Sequence, residues 1–359
     1  MSTGQIQLAV LLATLGLAIA ALLVLRADRS RRRRRHPAGD RAPVADSPRI
    51  GVVVNTSKLT DEDRRRHQVD AAVAARGWQP AQWWHTTADD PGPGQTIQAR
   101  EAGCDLVLAL GGDGTVRLVA EQLLGTGIAL GLLPAGTGNL LARNLRIPPT
   151  DLGQAVQVAL GAGTRTIDAA RAEIDLSGED HEPVRQTFLV MAGLGFDADV
   201  MASVSTELKQ KVGWLAYVVT GARNLRGRRT RVTLRLDDGE PTLMQVRSVI
   251  VGNCGELTGG VVLLPEALID DGWLDVVVVA PRGLVGWAAV AGRVLARRGS
   301  TGINGIRRPV VEHFRCRSVE VRAERPLQVQ LDGDAVGPAR VLRAAVEPGA
   351  LLVKAPAAP

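Results

Sequence analysis

Cysteine and lysine are both scarce in this chain, and each scarcity closes a chemical route. The 359 residues include three cysteines, Cys104, Cys254 and Cys316, odd in number and far apart. That excludes a disulfide framework and a paired C-x-x-C metal site, and it fits a reducing compartment. The five histidines are scattered, with no H-E-x-x-H or similar ligand spacing. Lysine occurs only as Lys58, Lys209, Lys211 and Lys354. None of them stands in the Gly-Lys-Ser/Thr context of a Walker A loop. Neither glycine-rich loop completes G-x-G-x-x-G, so the dinucleotide fingerprint is missing too. There is no internal repeat of about 20–50 residues.

A net charge of +6 and a sequence pI near 9.9 suggest nucleic acid at first sight. The distribution of charge argues otherwise. Residues 1–48 carry eight Arg and three Asp, a balance of +5, and the remainder of the chain carries only +1. The globular part is nearly neutral, and no nucleic-acid partner is expected.

Ile6 to Leu25 is an uncharged, largely apolar run, with Gln7 and Thr14 its clear polar interruptions. About 20 such residues span a bilayer core. Arg26, Arg29 and Arg31 to Arg35 follow at once. The positive-inside rule then predicts one transmembrane helix with the rest of the chain in the cytoplasm, at the plasma (inner) membrane. A cleaved signal peptide carries its basic residues before the apolar run and ends in an A-x-A-like site, and neither feature is found here. The arginines also suit an anionic membrane surface.

Past this anchor (6–25, with 1–5 outside) and a basic, Pro-rich linker (26–48), the pattern alternates strand and helix. Strands are expected at 49–55, 78–87, 105–110 and 128–133, and helices at 61–76, 95–102 and 151–160. This pattern predicts a doubly wound parallel α/β domain over 49–168. The texture then changes. Runs at 164–176, 185–195, 230–236, 243–251, 273–279, 319–322 and 327–331 are rich in β-branched residues and separated by Gly, Asp and Pro. They predict an antiparallel β-sandwich over 169–339, interrupted by helices near 198–225 and 284–298. Residues 340–359 can pair in either domain.

The chain is organised around residues 105–144, where each of two buried strands ends in a glycine loop. The first loop is Gly111-Gly112-Asp113-Gly114-Thr115, followed by Val116 and Arg117. The second is Pro134-Ala135-Gly136-Thr137-Gly138-Asn139. In open α/β sheets, ligands bind beyond the carboxyl ends of the strands. Bare N–H groups at a helix start favour phosphate there. Read alone, the first loop is equally a tight βα turn capped by Asp113. Asp332-Gly333-Asp334 alone reads as a hairpin turn, and Asp270-Asp271-Gly272 as a turn between strands. Arg223, Arg226, Arg228, Arg229 and Arg231 read as a solvated helix end and strand edge more readily than as a lipid contact. Trp83-Trp84 reads as strand packing.

Taken together, these blocks resemble the diacylglycerol kinase catalytic-domain family and are similar to bacterial membrane-associated lipid kinases. The resemblance continues through Gly193-Leu194-Gly195-Phe196-Asp197, Pro265-Glu266-Ala267-Leu268-Ile269-Asp270-Asp271-Gly272 and Leu331-Asp332-Gly333-Asp334, in family order. It implies an NAD kinase/diacylglycerol kinase-like fold, with ATP on the first domain and a lipid in the cleft against the second. Gly111, Gly112, Asp113, Gly114, Thr115, Val116 and Arg117 would wrap the phosphates, with Gly136, Thr137, Gly138 and Asn139 from the second loop and Thr87 from the second strand. Asp113 would organise Mg²⁺ and its water rather than touch protein donors. A structural magnesium loop is implied with the Leu268 carbonyl, the Asp271 carboxylate and the Trp273 carbonyl as ligands. Asp334 falls where the family places the carboxylate that takes the proton from the lipid hydroxyl, with Asp332 the neighbouring candidate.

The chain departs from the family at three points. Asp334 stands where the family usually has Glu, Arg117 where many relatives have Asn, and Asn55-Thr56-Ser57 replaces Asn-Pro. An arginine beside the phosphates is expected to aid charge neutralisation. The function expected is phosphorylation of diacylglycerol to phosphatidic acid, or of a related membrane lipid. The alternatives are a small-molecule kinase of the NAD kinase type, and a nucleotide-binding membrane protein without catalysis. The oligomeric state is open, a homodimer being compatible.

Overall fold

A computed structural model describes residues 47–59, 61–176, 182–195, 229–257, 261–262, 264–281 and 311–356. The apolar run 6–25, its basic flank, Phe196, Asp197, both expected helices near 198–225 and 284–298, and Arg223, Arg226 and Arg228 lie outside the described residues. Among the described residues no helix is long and apolar enough to cross a membrane.

The amino-terminal half is a parallel sheet. Strands β1 (Ile50–Val54), β2 (Gln82–His85), β3 (Leu106–Gly111) and β4 (Ala129–Pro134) lie in the order β4-β3-β1-β2. Every residue of β1 and β3 is buried. Central parallel strands are covered on both faces, which is why they read as uninterrupted apolar runs. At the edge, Trp83 and Trp84 of β2 are half-buried against the core, and Trp83 Nε1 donates to Asp70 at 3.0 Å. The pair is indeed strand packing.

The helices are α1 (Glu62–Ala74), α2 (Pro93–Glu101), α3 (Asp113–Leu123), α4 (Leu140–Asn144) and α5 (Leu152–Ala159). Helix α2 packs on α3, and α1 on α5. Helix α3 buries Val116, Val119, Ala120 and Leu123 on one face, at the spacing of a helical repeat. Arg117 is buried with them.

The carboxyl-terminal half is antiparallel. Its strands are β5 (Thr164–Asp175), β6 (Val184–Phe188), β7 (Met191–Leu194), β8 (Thr230–Leu236), β9 (Thr242–Val246), β10 (Ser248–Gly252), the short pair β11 (Glu256–Leu257) and β12 (Val261–Val262), then β13 (Leu274–Val279), β14 (Val311–Cys316), β15 (Ser318–Leu331) and β16 (Asp334–Lys354). The path β14-β13-β10-β7-β15-β16 continues into β4-β3-β1-β2. Val353 of β16 pairs in parallel with Leu130 of β4, so the end of the chain joins the two halves. Two apolar clusters form the core, one around the parallel strands and one within the β-rich half.

Several strands differ from their expected form. The run 185–195 breaks at Leu189-Val190, because backbone N–H groups there are claimed by a side chain, described below. The run 243–251 breaks at Arg247, whose N–H donates to Val279. Residues 318–331 form one strand across Pro326, with a register shift between Arg322 and Leu327. A bulge is where a sheet tolerates proline. Strand β14 has no counterpart among the expected strands. Its half-exposed residues, including Glu312 and His313, give no clean apolar alternation.

Candidate active site

The two glycine loops meet at the carboxyl ends of β3 and β4. A side chain on Gly136 would put its Cβ 2.7 Å from Gly112 Cα, so the loops touch backbone to backbone. Ala135 N–H donates to the Gly111 carbonyl at 2.9 Å. Gly136→Ala is therefore expected to force the loops apart at an overpacking cost of about 1–3 kcal/mol, read as a lowered denaturation midpoint. An unchanged midpoint would show that the contact is not tight.

Helix α3 starts directly after Gly112. Helix geometry leaves the N–H groups of its first residues, Asp113, Gly114 and Thr115, without intrahelical partners. Val116 differs: its N–H is already bonded to Gly112 O at 3.0 Å, and its side chain is buried. Thr115 is held by Asn55, whose amide donates to Thr115 Oγ1 at 3.0 Å. Asn55 was not among the expected site residues.

Asp113 does not stand clear of protein donors. Its oxygens accept the N–H of Asn139 at 2.8 Å and of Leu140 at 2.5 Å. This corrects the expectation that it would be left for a metal and its water. Asp113 is the clamp that fixes the second loop to the first. Burial pushes its carboxyl up to about 6, with like charge from Asp332 and Asp334 adding to the shift and the two N–H donors opposing it. Asn139 adopts a left-handed conformation, φ 48° and ψ 48°. It closes the second loop by bonding both the N–H and the carbonyl of Gly136. Thr137 is exposed at the tip, and Gly138 lies against Asp113. Thr87 sits past the end of β2, where its hydroxyl accepts the Asp90 N–H at 3.0 Å and closes the turn.

The third component comes from the other half of the chain. Leu331 pairs with Asp334 across a two-residue turn in which Asp332 has φ 50° and Gly333 φ 93°. Two positive φ values are what a tight type I′ hairpin demands. The hairpin expected at Asp332-Gly333-Asp334 is thus observed. Asp332 is buried, and its carboxylate accepts three backbone N–H groups, from Leu189 at 2.9 Å, Val190 at 2.8 Å and Met191 at 2.9 Å. These bonds break the strand between β6 and β7. They also make the buried Asp332 a structural anchor of the turn. Burial raises its carboxyl against the pull of those donors.

Asp334 emerges from the turn with its side chain 54% exposed. A Cβ on Gly114 would lie 2.5 Å from Asp334 Oδ2, so the carboxylate rests on the start of α3. Of the three clustered carboxylates, Asp334 alone combines exposure with direct access to the first glycine loop. Beneath it lies Arg117, whose Nη2 is 3.6 Å from Asp334 Oδ2 and whose Nη1 donates to Gln186 Oε1 at 3.0 Å. Gln186 of β6 was also missed by sequence reading, since nothing in a lone Gln within a strand signals a site.

The expected magnesium loop has other partners. Asp271 accepts the Trp273 N–H at 3.0 Å and pairs with the guanidinium of Arg315, which stacks on the Trp273 ring. Asp270 pairs with Arg165, and the Leu268 side chain is exposed. A cation at Asp271 would have to displace a guanidinium. The residues as arranged do not fit the ion. The anion that organises it is Asp168, buried and accepting the N–H of Gly272 and of Gly349 at 2.7 Å each.

Residues 49–172 match the diacylglycerol kinase catalytic domain, and residues 190–355 match the YegS C-terminal NAD kinase beta sandwich-like domain. A Pseudomonas aeruginosa protein named "Probable lipid kinase YegS-like" is 35% identical over 323 residues, covering 87% of this chain and 96% of its own length. A Pseudomonas fluorescens protein of the same name is 33% identical, covering 80% of this chain and 91% of its own. Among solved structures, a diacylglycerol kinase from Bacillus anthracis str. Sterne shares the fold with a TM-score of 0.66 at 22% identity, over 87% of this chain and 98% of that one. The chain is thus a kinase, and it belongs to the YegS-like lipid kinases with a diacylglycerol kinase catalytic domain.

Proposed function

We propose that this lipid kinase transfers the γ-phosphoryl group of ATP, taken up with Mg²⁺, to the hydroxyl of diacylglycerol or a closely related membrane lipid. The observation that carries the reading is the meeting of two glycine loops, the start of α3 and the Asp334 carboxylate at one point. The N–H groups at the start of α3 receive the phosphates, with the exposed Thr137 of the second loop beside them. Asp334 accepts the proton from the lipid hydroxyl. The hydroxyl oxygen forms a bond to the γ-phosphorus as the bond to the bridging oxygen breaks, and ADP leaves. The apolar run 6–25 and its arginines would hold the enzyme at the inner face of a membrane, where such a substrate resides.

The test is one phosphorylation assay with ATP and fractionated membrane lipids, the product identified by mass. Phosphatidic acid from the diacylglycerol fraction is expected. A product from a ceramide-like lipid or a prenyl alcohol would correct the acceptor. Transfer to NAD, or to nothing, would sink the reading.

Asp113 supplies a pH-dependent check. Its carboxyl is raised from 3.8 to about 6. The protonated form therefore contributes stability that is fully present below the ordinary carboxyl value and lost as pH rises through about 6. Phosphate arriving beside Asp113 disfavours its ionised form further. ATP binding near pH 6 is expected to take up protons, measured calorimetrically in buffers of different ionisation enthalpy. Asp113→Asn should abolish the uptake, and net proton release would contradict phosphates beside Asp113.

A further inference from the structure

We propose that Arg117 is a positioning residue for Asp334, and that these two departures from the family pattern act as one compensating pair. The inference rests on the reading of Asp334 as the proton acceptor. Arg117 is only 6% exposed, yet it lies on α3 about 100° round the helix from Val116, at the flank of the apolar face formed by Val116, Val119, Ala120 and Leu123. A buried guanidinium is costly unless opposite charge and hydrogen bonds surround it. Here Nη1 is fixed by Gln186 at 3.0 Å, Nη2 faces Asp334 Oδ2 at 3.6 Å, and Nε is buried with no hydrogen-bond partner. The charged groups around it are the carboxylates of Asp334 and Asp332.

The reach of the two side chains gives this arrangement its meaning. Aspartate is one methylene shorter than the glutamate of the resemblance, so by itself it holds its carboxylate closer to its own backbone. Arginine is longer than the asparagine of the resemblance and crosses from α3 to the hairpin. The geometry lets the long cation hold the short anion over Gly114, with Gln186 bracing the guanidinium from β6. Arg117 also sets a positive charge beside Asp332 and Asp334. Its side chain is committed to this pair, not to nucleotide phosphates.

The test is a double-mutant cycle on lipid phosphorylation, with Arg117→Asn, Asp334→Glu and the two combined. Each single variant is expected to lose activity, about 10²-fold where the carboxylate is misplaced by about 1 Å. The double variant is expected to recover at least about 10-fold over the worse single, since residues in contact are not additive. Arg117→Gln should lower kcat and leave the KM for ATP unchanged. Additive losses, or a raised KM for ATP with kcat intact, would overturn the proposal in favour of a phosphate contact.

A second readout does not depend on activity. The Arg117 Nε–H resonance in ¹⁵N-arginine-labelled protein, identified by its loss in Arg117→Lys, should shift in Asp334→Asn. No shift would refute the pairing. If the wild type transfers no phosphate to lipid but the resonance does shift, the proposed reaction fails while the pair stands.

Discussion

Replacing Asp334 by asparagine is expected to lower lipid phosphorylation by about 10²–10⁴-fold, the contribution typical of a positioned general base. The carboxamide keeps the shape of the side chain and removes its ability to accept a proton. Because Asp334 is half-exposed at the tip of a hairpin, the change should leave the fold intact. Nucleotide binding should survive too, since the loops are clamped by Asp113 and Asn139 and not by Asp334. The measurements are turnover with saturating ATP and, separately, ATP affinity. Full turnover in Asp334→Asn would remove this residue from the chemistry. Lost ATP binding with lost turnover would mean that Asp334 supports the nucleotide site instead.

Asp332→Ala should have the largest effect on stability. It strands the N–H groups of Leu189, Val190 and Met191 in the interior, where an unsatisfied donor costs about 1–3 kcal/mol. Even with partial rehydration the loss should be on the order of 3–5 kcal/mol, in the range seen when one partner of a buried charged cluster is removed. That is a large share of the roughly 5–15 kcal/mol by which folded domains exceed their unfolded states. Asp332→Asn should be milder. Its remaining oxygen can still accept from Val190 and Met191, which share Asp332 Oδ1, but its amide would face the Leu189 donor. Chemical denaturation reads both variants. The order Ala, then Asn, then wild type in rising midpoint is expected, and equal midpoints would mean that water satisfies these donors. Activity should fall with stability, because the same turn carries Asp334.

The comparison between Asp332 and Asp334 shows how far residues can be read without a structure. Both carboxylates were visible in sequence as neighbours in one late motif, and the turn between them was visible from Gly333. Their division of labour was not. One carboxylate is buried under three backbone donors and the other is half-exposed on a helix start, a difference that arises only when β6 and β7 come to lie beside the hairpin. Asp113 illustrates the same gap. Its place in a glycine loop is local, whereas its hold on Asn139 and Leu140 depends on β4 pairing beside β3. At Asp271 the motif suggested a metal ligand, while folding delivers Arg315 from a strand that the apolar pattern did not reveal.

The sequence by itself determined the parallel half, the two loops over its strand ends, the β-rich character of the second half and the kinase family. These follow from short-range rules. A strand covered on both faces must be apolar throughout, and a glycine loop before a helix start is a contiguous motif. The tertiary structure alone decided which carboxylate anchors and which is free. It also decided that Arg117 crosses to Asp334 and that Asp168 organises the loop at Gly272. A charged group's role is set by the partners that surround it, and those partners come from strands and helices far apart in the chain, brought together by sheet pairing that no local spacing encodes.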